Sequence, residues 1–200
     1  VFFFFFYPGD NPPELVMPYL KDVSVLLKKH LLNAGVWLSP QNFEPSEVQY
    51  VYKYLQENQP DWFAGVCAGP SSPPIPELRA NIPKKYPLRE YPDITHTVRC
   101  QYPVKWWDPA FSFTLGREPI NPQPVYYASI INWVGPYTDG FITYSDGVND
   151  DVNKVIWSMR GSDPSLPVRE ILLDYSRFFF GPQVAEPAAD GILGLEENWE

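Results

Sequence analysis

Carboxylates, amides and aromatic rings recur in this 200-residue chain at the points where short apolar runs stop. Asp10 stands just past residues 1–7, and Gln41 and Asn42 follow residues 34–39. Asp93 and His96 interrupt a stretch that starts at Leu88, and Asp146, Asn149, Asp150 and Asp151 crowd the end of residues 140–144. Two carboxyl groups flanking a glycosidic bond can cleave it, one as acid/base and the other as nucleophile or charge stabiliser. Close carboxylates also raise one another's pKa, which keeps a general acid protonated near neutrality. On that chemistry Asp10 and Asp146 form the candidate catalytic pair. Each of Gln41 and Asn42 offers a donor and an acceptor to a sugar hydroxyl. Together with Asp93, His96, Tyr102, Trp106, Asn149 and Asp150 they are the candidate substrate contacts.

Each assignment has a plainer alternative. Pro8-Gly-Asp-Asn11 is also good turn chemistry. Gln41 and Asn42 could cap the next helix, as could Asp150 or Asp151. Asp93 and His96, three apart on a strand, face opposite sides unless a bulge intervenes. A zinc site needs more histidine than a second His30 within a Lys-rich helical stretch provides, so no metal and no cofactor is expected.

The elements that must position these residues alternate. Apolar or β-branched runs predict strands at residues 1–7, 34–39, 62–68, within 88–100, and at 140–144. Helical spacing marks 13–32, 47–58 with Ser46 as N-cap, a short piece around 76–80, 125–134, 152–158, 167–180 and 185–200. Pro18 is placed to divide the first of these helices. Such alternation implies parallel strands joined by right-handed crossovers. There is no Gly-rich phosphate loop, and polar residues follow nearly every strand. A (β/α)8 TIM barrel with its site on the C-terminal face requires that arrangement. The expectation is therefore an α/β chain whose residues 1–160 form the C-terminal part of such a barrel, about strands four to eight. Residues 161–200 would start a helical region. The opening in a strand without Met and the stop inside a helix suit a piece of a longer protein.

A net charge of −9 disfavours nucleic acid, whose phosphates need a basic surface. The run of five Phe is too short to span a membrane, so no membrane partner is expected. Hydrophobic residues at 44% and charged residues at 20% make the chain globular. Seven Trp within a 16% aromatic content serve the core first, and flat aromatic faces also suit a sugar-binding cleft. The two cysteines, Cys67 and Cys100, form no disulfide framework and read as buried thiols.

Several segments resemble the retaining β-N-acetylglucosaminidases of glycoside hydrolase family 84 and their hyaluronidase-like relatives. Residues 2–10 look like that family's fourth strand with its acidic end, and Trp37-Leu-Ser-Pro40 like the fifth. Asp61-Trp-Phe-Ala-Gly-Val66 is similar to the sixth strand, which carries Trp-Thr-Gly. Gln101-Tyr-Pro-Val104 resembles an Asn-Tyr-Pro-Val-Asn segment, and Asp163-Pro164 through Phe179-Phe-Gly181 resembles the helices beyond the barrel. The chain also looks like uncharacterised bacterial proteins of glycosidase type. The resemblance implies a glycosidase acting on a carbohydrate that contains N-acetylhexosamine. Two departures stand out: one acid, Asp10, where the family has two, and Lys105 where it has a sugar-contacting Asn. They leave open a barrel that binds carbohydrate without cleaving it.

Overall fold

The computed structural model describes residues 3–92, 102, 122–144 and 151–198. Two compact units emerge, Val1–Pro92 with Tyr137–Ile142, and Asp93–Pro136 with Thr143–Glu200.

The first unit alternates strand and helix: β1 Phe3–Phe6, α1 Pro13–His30, β2 Gly35–Leu38, α2 Pro45–Asn58, β3 Phe63–Ala68, α3 Ile75–Asn81 and β4 Leu88–Glu90. The four strands pair in chain order, all parallel. Val36, Leu38, Val66, Ala68 and Leu88 on one face are each at most 2% exposed, and Trp37 and Cys67 on the other are at most 7% exposed, the near-continuous apolar character of buried parallel strands.

Local sequence explains the crossovers. Pro13 opens α1 with its φ already helical. Val16, Met17, Leu20 and Ser24 then fall on one buried stripe. Contrary to expectation Pro18 does not divide the helix. Proline frees the carbonyl four residues earlier, here that of exposed Glu14, which water can satisfy. The expected N-cap Ser46 lies inside α2 instead. Pro45 takes the first helical position, and the Glu47 carboxylate accepts the Glu44 N–H at 2.8 Å, half of a capping box. The Arg79 guanidinium gathers carbonyls beyond the end of α3, donating to Ile82 at 2.8 Å, Pro83 at 3.1 Å and Tyr86 at 3.1 Å. That fork fixes the approach to β4.

The chain is not a (β/α)8 barrel. The described strands form one open sheet of four, and the remaining regular structure among the described residues is helical. The expected fifth strand, 140–144, contributes an isolated bridge between Phe141 and Glu90. Asp139 closes on β4 from the same side, its N–H donating to Leu88 O at 2.7 Å and its carboxylate accepting the Leu88 N–H at 2.9 Å. This segment satisfies the edge of β4 without extending the sheet. Strand–helix alternation specifies parallel pairing, but closure depends on strand number, tilt and shear, which that pattern does not encode.

Among its described residues the second unit has four α-helices: α4 Pro124–Val134, α5 Asp151–Ser162, α6 Val168–Phe179 and α7 Ala185–Glu197. Tyr127, Ile131, Ile156, Trp157, Leu172 and Ala189 fill its core, each at most 5% exposed. Arg160 ties the bundle together by donating to the Leu166 carbonyl at 2.7 Å and to Asn132 Oδ1 at 2.6 Å. Glu196 of α7 caps α4 in trans, its two oxygens accepting the Val125 and Tyr126 N–H groups at 2.9 and 2.8 Å. A carboxylate there satisfies orphan donors and meets the positive end of the helix dipole. Glu196→Ala is expected to cost about 1 kcal/mol, the usual worth of a cap. Urea unfolding checks this, and an unchanged midpoint would show that the cap contributes nothing. No helix among the described residues is long and apolar enough to cross a membrane.

Candidate functional site

Because the four strands run parallel, their carboxyl ends share one edge of the sheet, to which the loop after each strand brings its side chains. Three interstrand loops meet there. After β1, Pro8-Gly-Asp-Asn11 closes as a turn in which Asn11 N–H donates to Pro8 O at 3.3 Å and Asn11 Nδ2 donates to the same oxygen at 2.7 Å. Gly9 has φ +61°, the left-handed conformation that glycine adopts without a Cβ penalty. Asp10 sits exposed at this corner. The candidate acid is thus presented to solvent by a turn.

After β2, Ser39 is fully buried and its hydroxyl donates to Gln41 Oε1 at 2.9 Å. A Cβ on Gly69, at the end of β3, would lie 2.5 Å from Gln41 Cδ and 2.8 Å from Tyr91 Cδ1. The Gln41 amide and the Tyr91 ring therefore close on the bare Gly69 backbone. Asn42 Nδ2 donates to the Tyr7 hydroxyl at 2.5 Å, linking the β2 loop to the end of β1. Asn42 and Ser71 both have φ near +60°, and the Asn42 N–H donates to Ser71 O at 3.4 Å. Left-handed non-glycine residues cost about 1 kcal/mol or more and gather where a site holds the backbone in place.

Behind this rim one sheet face carries Trp37, Gly65, Cys67 and Arg89. The indole of Trp37 on β2 crosses β3 at Gly65, and the Arg89 guanidinium of β4 lies 4.6 Å over it. Burial pushes the Cys67 thiol up to about 12, with the Arg89 charge pulling it down and the Glu90 charge adding to the rise. Cys67 is thus a protonated, inert thiol at neutral pH. Glu90 ends β4 with 1% exposure.

Of the residues the sequence singled out, Gln41 and Asn42 come together at the edge with Tyr7, Ser39 and Tyr91. Neither caps α2, where Glu44 stands instead. Tyr102 falls in the second unit, 8% exposed, its ring 6.4 Å from Trp157. Asp93, His96, Trp106, Asp146, Asn149 and Asp150 lie outside the described residues. Sequence reasoning passed over Tyr7, Ser39, Tyr91 and buried Glu90. Their signal is position alone, within two residues of a strand end. Among the described residues no group of three or more His, Cys, Asp or Glu could hold a metal ion. No family model, no curated protein and no solved structure matches the chain, so the site rests on its own geometry.

Proposed function

We propose that the chain binds carbohydrate at the carboxyl edge of its parallel sheet. The observation that carries this reading is the gathering at the carboxyl edge of two side-chain amides, two tyrosines and a buried serine: Gln41 and Tyr91 close on Gly69, Ser39 bonds Gln41, and Asn42 bonds Tyr7. Amides and hydroxyls match sugar hydroxyls in both donor and acceptor roles, and aromatic faces suit the C–H face of a pyranose. The sequence resemblance points to N-acetylhexosamine as the sugar class. Hydrolysis of the glycosidic bond, with Asp10 as acid/base and Asp146 as its partner, is the second reading. The exposed carboxylate of Asp10, in the turn that follows β1 at the same edge of the sheet, favours it, since a solvent-facing acid is free to meet a glycoside.

Titration calorimetry with N-acetylglucosamine tests binding. Gly69→Ala would displace Gln41 and Tyr91, so an affinity loss of about tenfold or more is expected, the worth of one or two hydrogen bonds. Equal affinity in wild type and variant, or no binding by the wild type, would refute the site. Turnover of aryl N-acetylglucosaminides tests cleavage. Asp10→Asn is expected to slow it about 10²-fold or more if Asp10 is the general acid. Unchanged turnover removes Asp10 from the mechanism, and binding without turnover leaves the binding reading alone.

A further inference from the structure

A groove of 320 Å3, open to solvent, runs between the loop that follows β2 and the loop that follows β3. That volume lies at the low end of the ~300–1,000 Å3 range of small-molecule sites. Phe43, 8% exposed, and Pro73 form its apolar side, and Gln49, Ser71, Ser72 and Glu77 line the rest. Its polar groups have capacity to spare. Ser72 Oγ accepts the Gly69 N–H at 3.0 Å, which leaves its own hydrogen to donate. Glu77 Oε1 accepts the Tyr52 hydroxyl at 3.2 Å, and its carboxylate keeps its second oxygen. Gln49 and Ser71 are exposed.

The loops that line the groove are tied to the edge site in two ways. Phe43 follows Asn42 directly, and the Asn42 N–H donates to Ser71 O. Ser72 is anchored on Gly69, the glycine against which Gln41 and Tyr91 pack. Its one charged lining residue is an acid, which repels phosphate or carboxylate ligands and accepts from a neutral hydroxyl. An apolar wall facing a mixed donor and acceptor array fits a neutral sugar ring.

Resting on the carbohydrate reading of the edge site, we infer that this groove is a second subsite, which takes the sugar next along a β-linked N-acetylglucosamine oligomer. The protein is then a reader of oligosaccharides rather than of single sugars. The test compares N-acetylglucosamine with its β-1,4-linked trimer by calorimetry, on the full chain and on a Gln49→Ala/Ser71→Gly variant. Gln49 is an exposed helical position, and glycine suits the left-handed φ of Ser71, so the variant keeps the fold; circular dichroism and an unchanged unfolding midpoint confirm that. The wild type is expected to bind the trimer at least tenfold more tightly than the monomer. The variant is expected to lose that preference while binding the monomer as before. A variant that keeps the full trimer preference, or a wild type that shows none, overturns the groove and leaves the edge site standing. A wild type that binds neither sugar overturns both.

Discussion

Gly65→Ala is expected to be the most damaging single-methyl change in the sheet. A Cβ at that position would lie 2.5 Å from Trp37 Cζ3 and 2.7 Å from the Pro87 carbonyl oxygen. Neither neighbour can yield freely. The indole is held between β3 and the Arg89 guanidinium, and it is 7% exposed. The Pro87 oxygen accepts the Val66 N–H at 3.1 Å, which ties β3 to the approach to β4. Overpacking of this kind costs about 1–3 kcal/mol, and the backbone contact places Gly65→Ala at the top of that range. Urea unfolding measures it directly. Trp37→Leu in the Gly65→Ala background should recover part of the loss, a coupling that the single variants would not predict. A Gly65→Ala chain with the midpoint of the wild type would mean that the indole does not cross β3. The same stack positions the rim, because Trp37 and Arg89 lie two and one residues before the buried Ser39 and Glu90 at the strand ends.

Much of the first unit was legible because it is built from local rules. The expected helix 13–32 is α1 within two residues, and residues 62–68 contain β3, since 3.6-residue and continuous apolar patterns are set by burial. What failed was either competition within a turn or long-range geometry. Ser46 is a good N-cap, but Pro45 beside it is a better first helical residue, and the start lies two positions earlier than expected. Pro18 broke nothing because its partner carbonyl is exposed. Closure into a barrel is a property of the whole sheet, and alternation carries no record of it. For the candidate site, Gln41 and Asn42 were found as amides at a strand end, and both reach the common edge. Tyr7 and Tyr91 were missed because neither stands out until parallel pairing brings the ends of β1 and β4 to the same side. Asp10 shows the limit from the other direction. Its Pro-Gly-Asp-Asn setting spelled a turn as well as an acid, and the turn is what the backbone makes.

The sheet and its helices also carry an alkaline weakness. Cys67 is 3% exposed, and burial raises its thiol from 9.0 to about 12. Tyr52, also 3% exposed, is raised in the same direction, first by burial, then by the charge of Glu77 and by the hydrogen bond to it. Both groups are neutral when protonated. The folded chain therefore holds these protons at pH values where the unfolded chain has released them. Stability from this source is fully present below about pH 9 and is lost as pH rises toward the folded values. For Cys67 alone, three pH units at about 1.4 kcal/mol each give about 4 kcal/mol between pH 9 and 12. Tyr52 steepens the upper part of that loss. The urea midpoint should be flat from pH 7 to about 8.5 and fall steeply above about 9.5. Cys67→Ala lowers the whole curve by leaving a small cavity, yet its alkaline limb should be shallower, because the group that binds the extra proton is gone. Tyr52→Phe should flatten the limb further out, above about pH 10, where an unfolded tyrosine begins to ionise. The slope separates this effect from the cavity, since a packing loss shifts the curve without tilting it. If the Cys67→Ala limb is as steep as that of the wild type, the thiol is not held protonated by burial, and β3 does not pack tightly against its neighbours.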